Sequence, residues 1–506
     1  MASEAELRGD ERVYNGADSG IYRNFGLSIN DIDRSELRSF SPANLRPSSE
    51  YLPPIEIVDS RNVQSVSADA PESELRRRIA SDYASPAMRE RGERLGRDMD
   101  AFAQRARANG ISDGEVSETF RHVARILEAG PNARLSRDER LVLASQVMHN
   151  AAFPTEIRQN ENTCSVTAQE VRTYMQHPSA AAALVADVAA RGSFTGHDGT
   201  VIRLDGRSLT PSALGTTDLS RESQSRSFAS QLFQVTAANI ANLNDPDFRS
   251  LRYEQRPPTR DGDFGEALVD SRTGRVFGHE PGAAGRPNGL IAASESITGR
   301  SGEGAAFLVN LERQGRTATR AGAFRNAEEL GQRLEALTRE GRMPAVIFVH
   351  ANSDLFARSS NAVPRNLFND GHFVTITGYD PVSRTIRYDD QYGPESDRND
   401  RPVSLQNFYN ATHVLRANDL LDRLTGARST MSGEEFAGNL ERITREYAQR
   451  WQSVIAVGGA TDSPDVRADR DSARQRIADL SRGLTPAQRA RVEAAMNARP
   501  HVRNRR

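Results

Sequence analysis

The sequence contains no lysine, and all 66 of its basic residues are arginine. Lysine is among the commonest residues in proteins, so its absence needs an explanation. One explanation is a genome whose composition favours arginine codons. The other is selection against lysine amines, which are the targets of ubiquitination. Such selection would suit a protein delivered into a eukaryotic cell, or an acyl-transferring enzyme that must not modify itself.

Cysteine is almost as scarce, since Cys164 is the only one in 506 residues. A single cysteine excludes an intramolecular disulfide framework and agrees with a reducing compartment. The sequence has no apolar run as long as a membrane span, and its acidic N-terminus lacks the apolar core of a Sec signal. We therefore expect a protein without a membrane span that is cytoplasmic, or exported without a Sec signal, for example into a host cell.

Charge is balanced, with 66 basic against 68 acidic residues and a net charge of −2. This balance gives no electrostatic case for a nucleic-acid partner. The nine histidines form no pair at metal-ligand spacing with carboxylates. The sequence therefore predicts neither a metal nor a cofactor.

The most informative stretch is NDGHFVTITGYDPVSRTIRYDDQYGP, residues 369–394. Its β-branched and aromatic run from 373 to 377, the turn residues from 380 to 383 and the return run from 385 to 388 predict a β-hairpin. His372 stands where the first strand begins, and Asp389 and Asp390 stand where the second strand ends. Because these ends are neighbours in an antiparallel pair, a carboxylate is expected beside the imidazole.

Cys164 stands at the apparent start of a helix. Ala168, Val171 and Met175 recur at helical spacing after it, Asn162 or Thr163 supplies a cap, and Pro178 ends the helix. A thiol at a helix N-terminus is close to the positive end of the helix dipole. We therefore expect a lowered thiol pKa.

These pieces together resemble the papain-like cysteine peptidases, and most of all the C39-like branch. Its Gly-His-hydrophobic strand, its Gly-Tyr-Asp and its closing Asp correspond here to residues 371–374, 378–380 and 389–393. A helix from Leu330 to Gly341 and a buried strand over residues 342–349 lead into the hairpin, as in that family. The resemblance covers about residues 150–415, with an unmatched insertion at about 195–320.

The resemblance implies Cys164 as the nucleophile and His372 as the general base and acid. Asp390 would orient the imidazole, and Gln159 would donate to the oxyanion. Asp390 is preferred over Asp389 because it shares a strand face with Ile386 and Tyr388. Gln159 lies five residues before the cysteine where the family usually has six, so a tighter loop, Asn160 or a backbone amide remains open for the oxyanion role.

The predicted architecture is α+β, a papain-like fold in which the cysteine helix packs on an antiparallel sheet. Residues 1–75 are expected to be a poorly ordered leader, 76–150 a helical region, 151–415 the papain-like domain and 416–506 a helical accessory region. Within the insertion, the sequence predicts hairpins at 195–209 and 267–277, a helix at 227–243 and a loop at 281–304. Another sheet edge is expected at 405–415.

Three functions remain open at this point. The first is a cysteine-dependent hydrolase, most simply a peptidase, acting on a protein or peptide substrate. The second is an acyl transferase of the transglutaminase or deamidase type, which passes the same thioester to an amine or to water. The third is an inactive papain-like module that only binds.

Overall fold

The computed structural model describes residues 70–82, 86–128, 135–159, 162–211, 226–257, 265–278, 282–310, 320–350, 353, 355, 371–391, 402–412, 417–456 and 464–497. Most of the predicted leader, Asn160 and residues 392–394 lie outside this set. The chain is an α+β protein. Its described residues divide into two compact units: the larger comprises those up to residue 355 and from 371 to 412, and the smaller comprises those from 417 to 497.

Four helices open the described part of the larger unit: α1 (Ala70–Asp82), α2 (Pro86–Ala108), α3 (Asp113–Leu127) and α4 (Arg137–Ala152). Helix α4 begins with the capping box that its sequence predicts. Ser136 accepts from the Glu139 N–H, and the Glu139 carboxylate accepts from the Ser136 N–H. A short 3₁₀ turn, Pro154–Glu156, then leads into the loop before Cys164.

The central helices follow in the order α5 (Cys164–Gln176), α6 (Pro178–Arg191), α7 (Phe228–Leu243), α8 (Pro287–Thr298), α9 (Ala327–Arg339) and α10 (Leu405–Ala411). The predicted cysteine helix is confirmed, with Thr163 at its N-cap and Pro178 opening the next helix. The 3₁₀ turn Gly282–Gly285 precedes α8, and the 3₁₀ turn Glu303–Ala306 follows it.

Eleven short strands form three sheets among the described residues: β1 (Ser193–Thr195), β2 (Val201–Arg203), β3 (Leu251–Gln255), β4 (Glu266–Asp270), β5 (Val276–Gly278), β6 (Phe307–Asn310), β7 (Gly322–Phe324), β8 (Ala345–His350), β9 (Gly371–Asp380), β10 (Thr385–Asp389) and β11 (Val403–Ser404). The largest sheet has the order β11-β10-β9-β8-β6-β7. Strand β6 runs parallel to β7 and to β8, and the other pairs are antiparallel. The three predicted hairpins are confirmed by the pairs β1–β2, β4–β5 and β9–β10.

The two faces of this sheet pack against different helices. On one face, Ile347, Val349 and Val374 join the buried residues of α9 and α10 in one apolar core. On the other face, the Thr375 hydroxyl donates to the Ala168 carbonyl of α5 at 3.1 Å. Side chains alternate along a strand, so the residues of β8 and β9 that do not point into this apolar core point toward α5. The sheet therefore separates the cysteine helix from the α9 core.

Two sequence predictions were wrong. Residues 281–304 are largely helical, because the Gly-, Ala- and Ser-rich run also carries buried Leu290 and Ile291, and Gly299 ends α8 in the left-handed conformation. The expected edge at 405–415 is mostly α10, which begins at an N-cap, Ser404, that accepts from the Asn407 N–H. In both places, the many small or polar residues are typical of loops or strand edges, although the buried face of the helix is apolar.

The described part of the smaller unit is helical: α11 (Ala417–Gly426), the 3₁₀ turn Arg428–Thr430, α12 (Gly433–Ala456), α13 (Pro464–Ser481) and α14 (Pro486–Met496). Apolar residues of these helices are buried, among them Leu420, Leu440 and Ile477. The polar faces carry ion pairs such as Arg476–Asp422. The expectation of a helical region after residue 416 is confirmed for these residues.

Candidate active site

Cys164 is the first residue of α5 and is 2% exposed. The backbone N–H of Phe373, the residue directly after His372, lies near the thiol and acts to lower its pKa. The β9–β10 ladder ends at the pair Thr375↔Asp389, so the Phe373 N–H lies beyond the last pair. The sulfur therefore meets β9 close to the point where β10 leaves it.

The pKa of the Cys164 thiol is raised to about 12. Burial is the main cause, and the negative charge of Glu266 adds to it, while the backbone N–H groups of Phe373 and Ser165 act in the opposite direction. The lowered pKa expected from the helix dipole is therefore wrong for this conformation. The thiol is protonated at neutral pH because the loss of hydration destabilises the thiolate more than the helix dipole and the nearby backbone N–H groups stabilise it.

His372 is buried, and its Nε2 lies 2.9 Å from the main-chain oxygen of Asp390. Strand alternation puts His372 on the face of Val374, while the ring reaches the end of β10. Two neighbouring residues of β9 thus have different partners. The ring of His372 contacts the Asp390 carbonyl, and the N–H of Phe373 lies near the Cys164 thiol. Positions 164, 372 and 390 lie near one end of the sheet, but alternation puts the His372 side chain on the face of the α9 core, whereas Cys164 belongs to the helix on the opposite face. The structure therefore brings the backbone of β9 to the thiol but leaves the imidazole on the other face.

The two carboxylate residues at the end of β10 differ in their surroundings. The Asp389 Oδ1 accepts from the Gln391 N–H at 3.2 Å, which helps to hold Gln391 in a left-handed conformation with φ of 54°. Asp390 presents its carbonyl to His372. The sequence predicted that an Asp390 side chain would orient the ring, and the observed contact is made by the backbone of that residue. The assignment of the carboxylate role to Asp390 remains a prediction.

Gln159 lies at the same end of the sheet, because its N–H donates to the Gln391 carbonyl at 3.4 Å. Its side-chain Oε1 is buried without a hydrogen-bond partner in the described part of the chain. The oxyanion role of Gln159 remains a prediction. Its loop does contact the strand end that holds His372.

Sequence reasoning missed two buried residues near this site. Glu266 of β4 binds Asn162, two residues before the cysteine, through both the amide side chain and the backbone N–H. His350 ends β8, is fully buried, and pairs with Gly371. Strand alternation places His350 on the α5 face. The only sequence signal for His350 is a histidine that closes an apolar strand, and Glu266 has no comparable local signal.

Two searches of the described residues bear on the nature of the site. They contain no group of three or more His, Cys, Asp or Glu side chains arranged to hold a metal ion. Within the same residues, every helix is too short or too polar to cross a bilayer.

Comparisons with protein-family models, with curated proteins and with solved structures find no match for this chain. The papain-like resemblance therefore remains a prediction from the sequence motifs.

Proposed function

We propose that this protein is a cysteine-dependent hydrolase, most simply a peptidase, that acts through Cys164, His372 and Asp390. The observation that carries the proposal is the pair of contacts at neighbouring positions of β9. The Phe373 N–H lies near enough to the Cys164 thiol to act on its pKa, and the His372 ring contacts the main-chain carbonyl of Asp390. An arrangement of a thiol, an imidazole and an orienting residue is the minimum that nucleophilic cysteine catalysis requires.

In the proposed reaction the site first opens, so that the His372 ring, which lies on the α9 face of the sheet, reaches the sulfur. The ring then takes the thiol proton, and the sulfur attacks the substrate carbonyl carbon. A C–S bond forms, the carbonyl π pair moves to oxygen, and backbone or Gln159 donors stabilise that oxyanion. The oxyanion collapses, the C–N bond breaks, and the imidazolium gives its proton to the leaving nitrogen. Water, deprotonated by the imidazole, then cleaves the thioester and restores the thiol.

The burial of the thiol favours a resting conformation that must open before it reacts. A 2% exposed sulfur with a raised pKa is a poor nucleophile until substrate or movement of the chain changes its surroundings. The same observation favours the main alternative, a papain-like module that binds without catalysis. Turnover separates the two.

A second catalytic alternative is an acyl transferase or deamidase that acts after translocation into another cell, and the lysine-free composition favours it. The thioester would be the same, and only the acceptor would differ. Without lysine side chains, the enzyme offers no side-chain amine to its own thioester. Ammonia release or amine incorporation would then replace cleavage of the chain.

The test is incubation of the full chain with a panel of protein substrates, with and without an added primary amine. Mass spectrometry reads cleavage, deamidation and amine incorporation, and an electrophilic activity probe reports the labelled residue. Cys164→Ser and His372→Ala should abolish the observed reaction. His197→Ala, at an exposed histidine, is the matched control and should retain it.

Cleavage supports the hydrolase, and amine incorporation or ammonia release supports the transferase. A chain that turns over no substrate and whose Cys164 takes no probe would refute both and leave the binding module. Turnover that persists in Cys164→Ser would likewise refute the assignment.

A further inference from the structure

The insertion places a buried carboxylate directly under the residues that precede Cys164. The Glu266 Oε2 accepts from the Asn162 side-chain amide at 2.8 Å, and Oε1 lies 3.4 Å from the Asn162 backbone nitrogen. The Tyr253 hydroxyl donates to the same carboxylate at 3.1 Å. Glu266 and Asn162 are 2% and 7% exposed, so these bonds form away from solvent. Hydrogen bonds of this kind, between a buried carboxylate and its donors, are among the stronger ones in proteins.

The described residues just before Cys164, 157–159 and 162–163, are here called the cysteine loop. Two further contacts tie it to other elements. The Gln234 side chain of α7 donates to the Arg158 carbonyl at 3.1 Å, and the Gln159 N–H donates to the Gln391 carbonyl. Among these contacts, the one between Glu266 and Asn162 lies nearest the cysteine in sequence. It is also the one made by an acidic side chain.

We propose that Glu266 is a positioning residue for Cys164: its carboxylate, reaching from the insertion, fixes Asn162 and thereby the start of the helix that carries the thiol. This role rests on the function proposed above in one respect, since only that function makes Cys164 a nucleophile. The insertion is then part of the site and not merely an elaboration of the fold. Its β4 strand determines where the thiol stands.

The charge of Glu266 has a separate consequence. It raises the pKa of the Cys164 thiol and so favours the protonated form. Burial raises the pKa of Glu266 itself, and the positive charge of Arg226 with the bonds from Asn162 and Tyr253 opposes that rise. Arg226 is held in turn by Gln234 and Gln255. The thiol is therefore coupled to the charge state of a group that belongs to the insertion.

The first variant, Glu266→Gln, removes the charge and keeps one acceptor for Asn162. The single thiol can be titrated by the ultraviolet absorbance of its thiolate, taken as a difference from Cys164→Ser. We expect the thiol of Glu266→Gln to titrate at a lower pH than that of the wild type, because a negative charge that disfavours the thiolate has been removed. The amount of thiolate at a pH below both midpoints should rise tenfold for each pH unit of that difference. Glu254→Gln is the matched control, since Glu254 is a fully buried carboxylate on the neighbouring strand β3 whose arginine partners are partly exposed and keep their hydration, and its thiol titration should match the wild type.

The second variant, Asn162→Ala, removes the bound amide and keeps the charge. Its thiolate titration should stay at the wild-type midpoint, while iodoacetamide labels Cys164 several-fold faster at every pH, because the cysteine loop opens more often. Thermal unfolding of each variant is measured in parallel. The labelling rate keeps the proposal testable even if Glu266→Gln does not fold.

Titrations of Glu266→Gln and wild type that coincide would overturn the charge coupling. Labelling of Asn162→Ala at the wild-type rate would overturn the positioning role. A titration of Glu254→Gln that is shifted as far as that of Glu266→Gln would also overturn the charge coupling. These measurements need no substrate. Faster labelling of Asn162→Ala in a chain without turnover would therefore uphold the positioning role and refute only the proposed function.

Discussion

The larger unit buries several charged side chains, whereas the ion-paired side chains described in the smaller unit all remain at least partly exposed. In the larger unit, Glu170, Arg172 and Glu266 are at most 2% exposed. In the C-terminal helices, the paired side chains of Arg476 and Asp422 keep 31% and 70% of their surface exposed. A buried charge loses its hydration and must be compensated by a specific partner, whereas an exposed one remains hydrated with or without its partner. The difference teaches where a substitution should matter and where it should not.

The buried groups of the larger unit also concentrate around one helix. Glu170 and Arg172 lie on α5, and Glu266 contacts the loop that precedes it. Each contacts an element far away in sequence, so the position of the Cys164 helix is fixed by polar partners as well as by the apolar core. Buried polar groups constrain geometry more narrowly than apolar contacts do, because an unmade bond costs its full desolvation.

The largest expected effect is on turnover. His372→Ala should lower it by roughly 10⁴-fold or more, because the thiol then has no base and the leaving group no acid. His350→Ala is the informative comparison, since His350 is also buried at this end of the sheet, on the α5 face. The proposal expects His350→Ala to retain turnover. Loss of turnover in His350→Ala, with His372→Ala active, would transfer the role of the base to His350.

The next largest effect is on stability. Arg172 bonds Glu303 at 2.8 Å and the Arg342 carbonyl at 2.9 Å, and it also bonds the Pro344 carbonyl. Arg172→Met should cost about 3–5 kcal/mol of unfolding free energy, because Glu303 is left as an uncompensated buried charge. Chemical denaturation measures the change.

The control for this prediction is the double variant Arg172→Met, Glu303→Met. It should recover part of the loss, since no charge is then stranded. If the single variant costs less than 1 kcal/mol, the contrast between buried and exposed charges fails at its strongest point.

The sequence correctly predicts the features that depend on local patterns of residues. The hairpin, the start of α5 at Cys164 and the capping box of α4 all follow from alternation, turn residues and caps. The proximity of Cys164 to the start of β9 follows from the resemblance of the motifs. These features depend on residues that are neighbours in the chain or in one hairpin.

The sequence was insufficient for what depends on burial and on the backbone. The pKa of Cys164 is set by desolvation and by Glu266, which is about a hundred residues away, and local composition reports neither. The contact between His372 and Asp390 uses a carbonyl, which every residue carries and no motif identifies. Helix α8 was hidden by its small residues, which are as common in loops as on a closely packed helix.

A smaller effect, visible only as a function of pH, is expected at Glu170. Burial raises the pKa of this carboxyl from 4.5 to about 7, although Gln234, Ser230 and Arg226 oppose the rise. The folded state therefore binds the proton more tightly than the unfolded state. The resulting stability is complete below the unfolded pKa and is lost as the pH rises through 7.

Between pH 5 and pH 8, the wild type should lose about 2–3 kcal/mol more unfolding free energy than Glu170→Gln does. Denaturation at several pH values measures both slopes. Ser230→Ala is the control, because it removes a bond to the carboxyl but leaves the titrating group, so the wild-type slope should persist. Equal slopes for wild type and Glu170→Gln would show that Glu170 does not titrate in this range.

The smallest expected effect is at the exposed end of the comparison. Arg476 bonds Asp422, and it also bonds the Asn418 carbonyl at 3.1 Å and the Asn418 side chain at 3.2 Å. Asp422→Ala should therefore change the unfolding free energy by only about 0.2–1 kcal/mol, since the guanidinium keeps its bonds to Asn418 and its access to water. High salt should shrink the effect further, because the pair is screened. A loss comparable with that of Arg172→Met, unchanged by salt, would mean that exposure does not decide what an ion pair contributes in this chain.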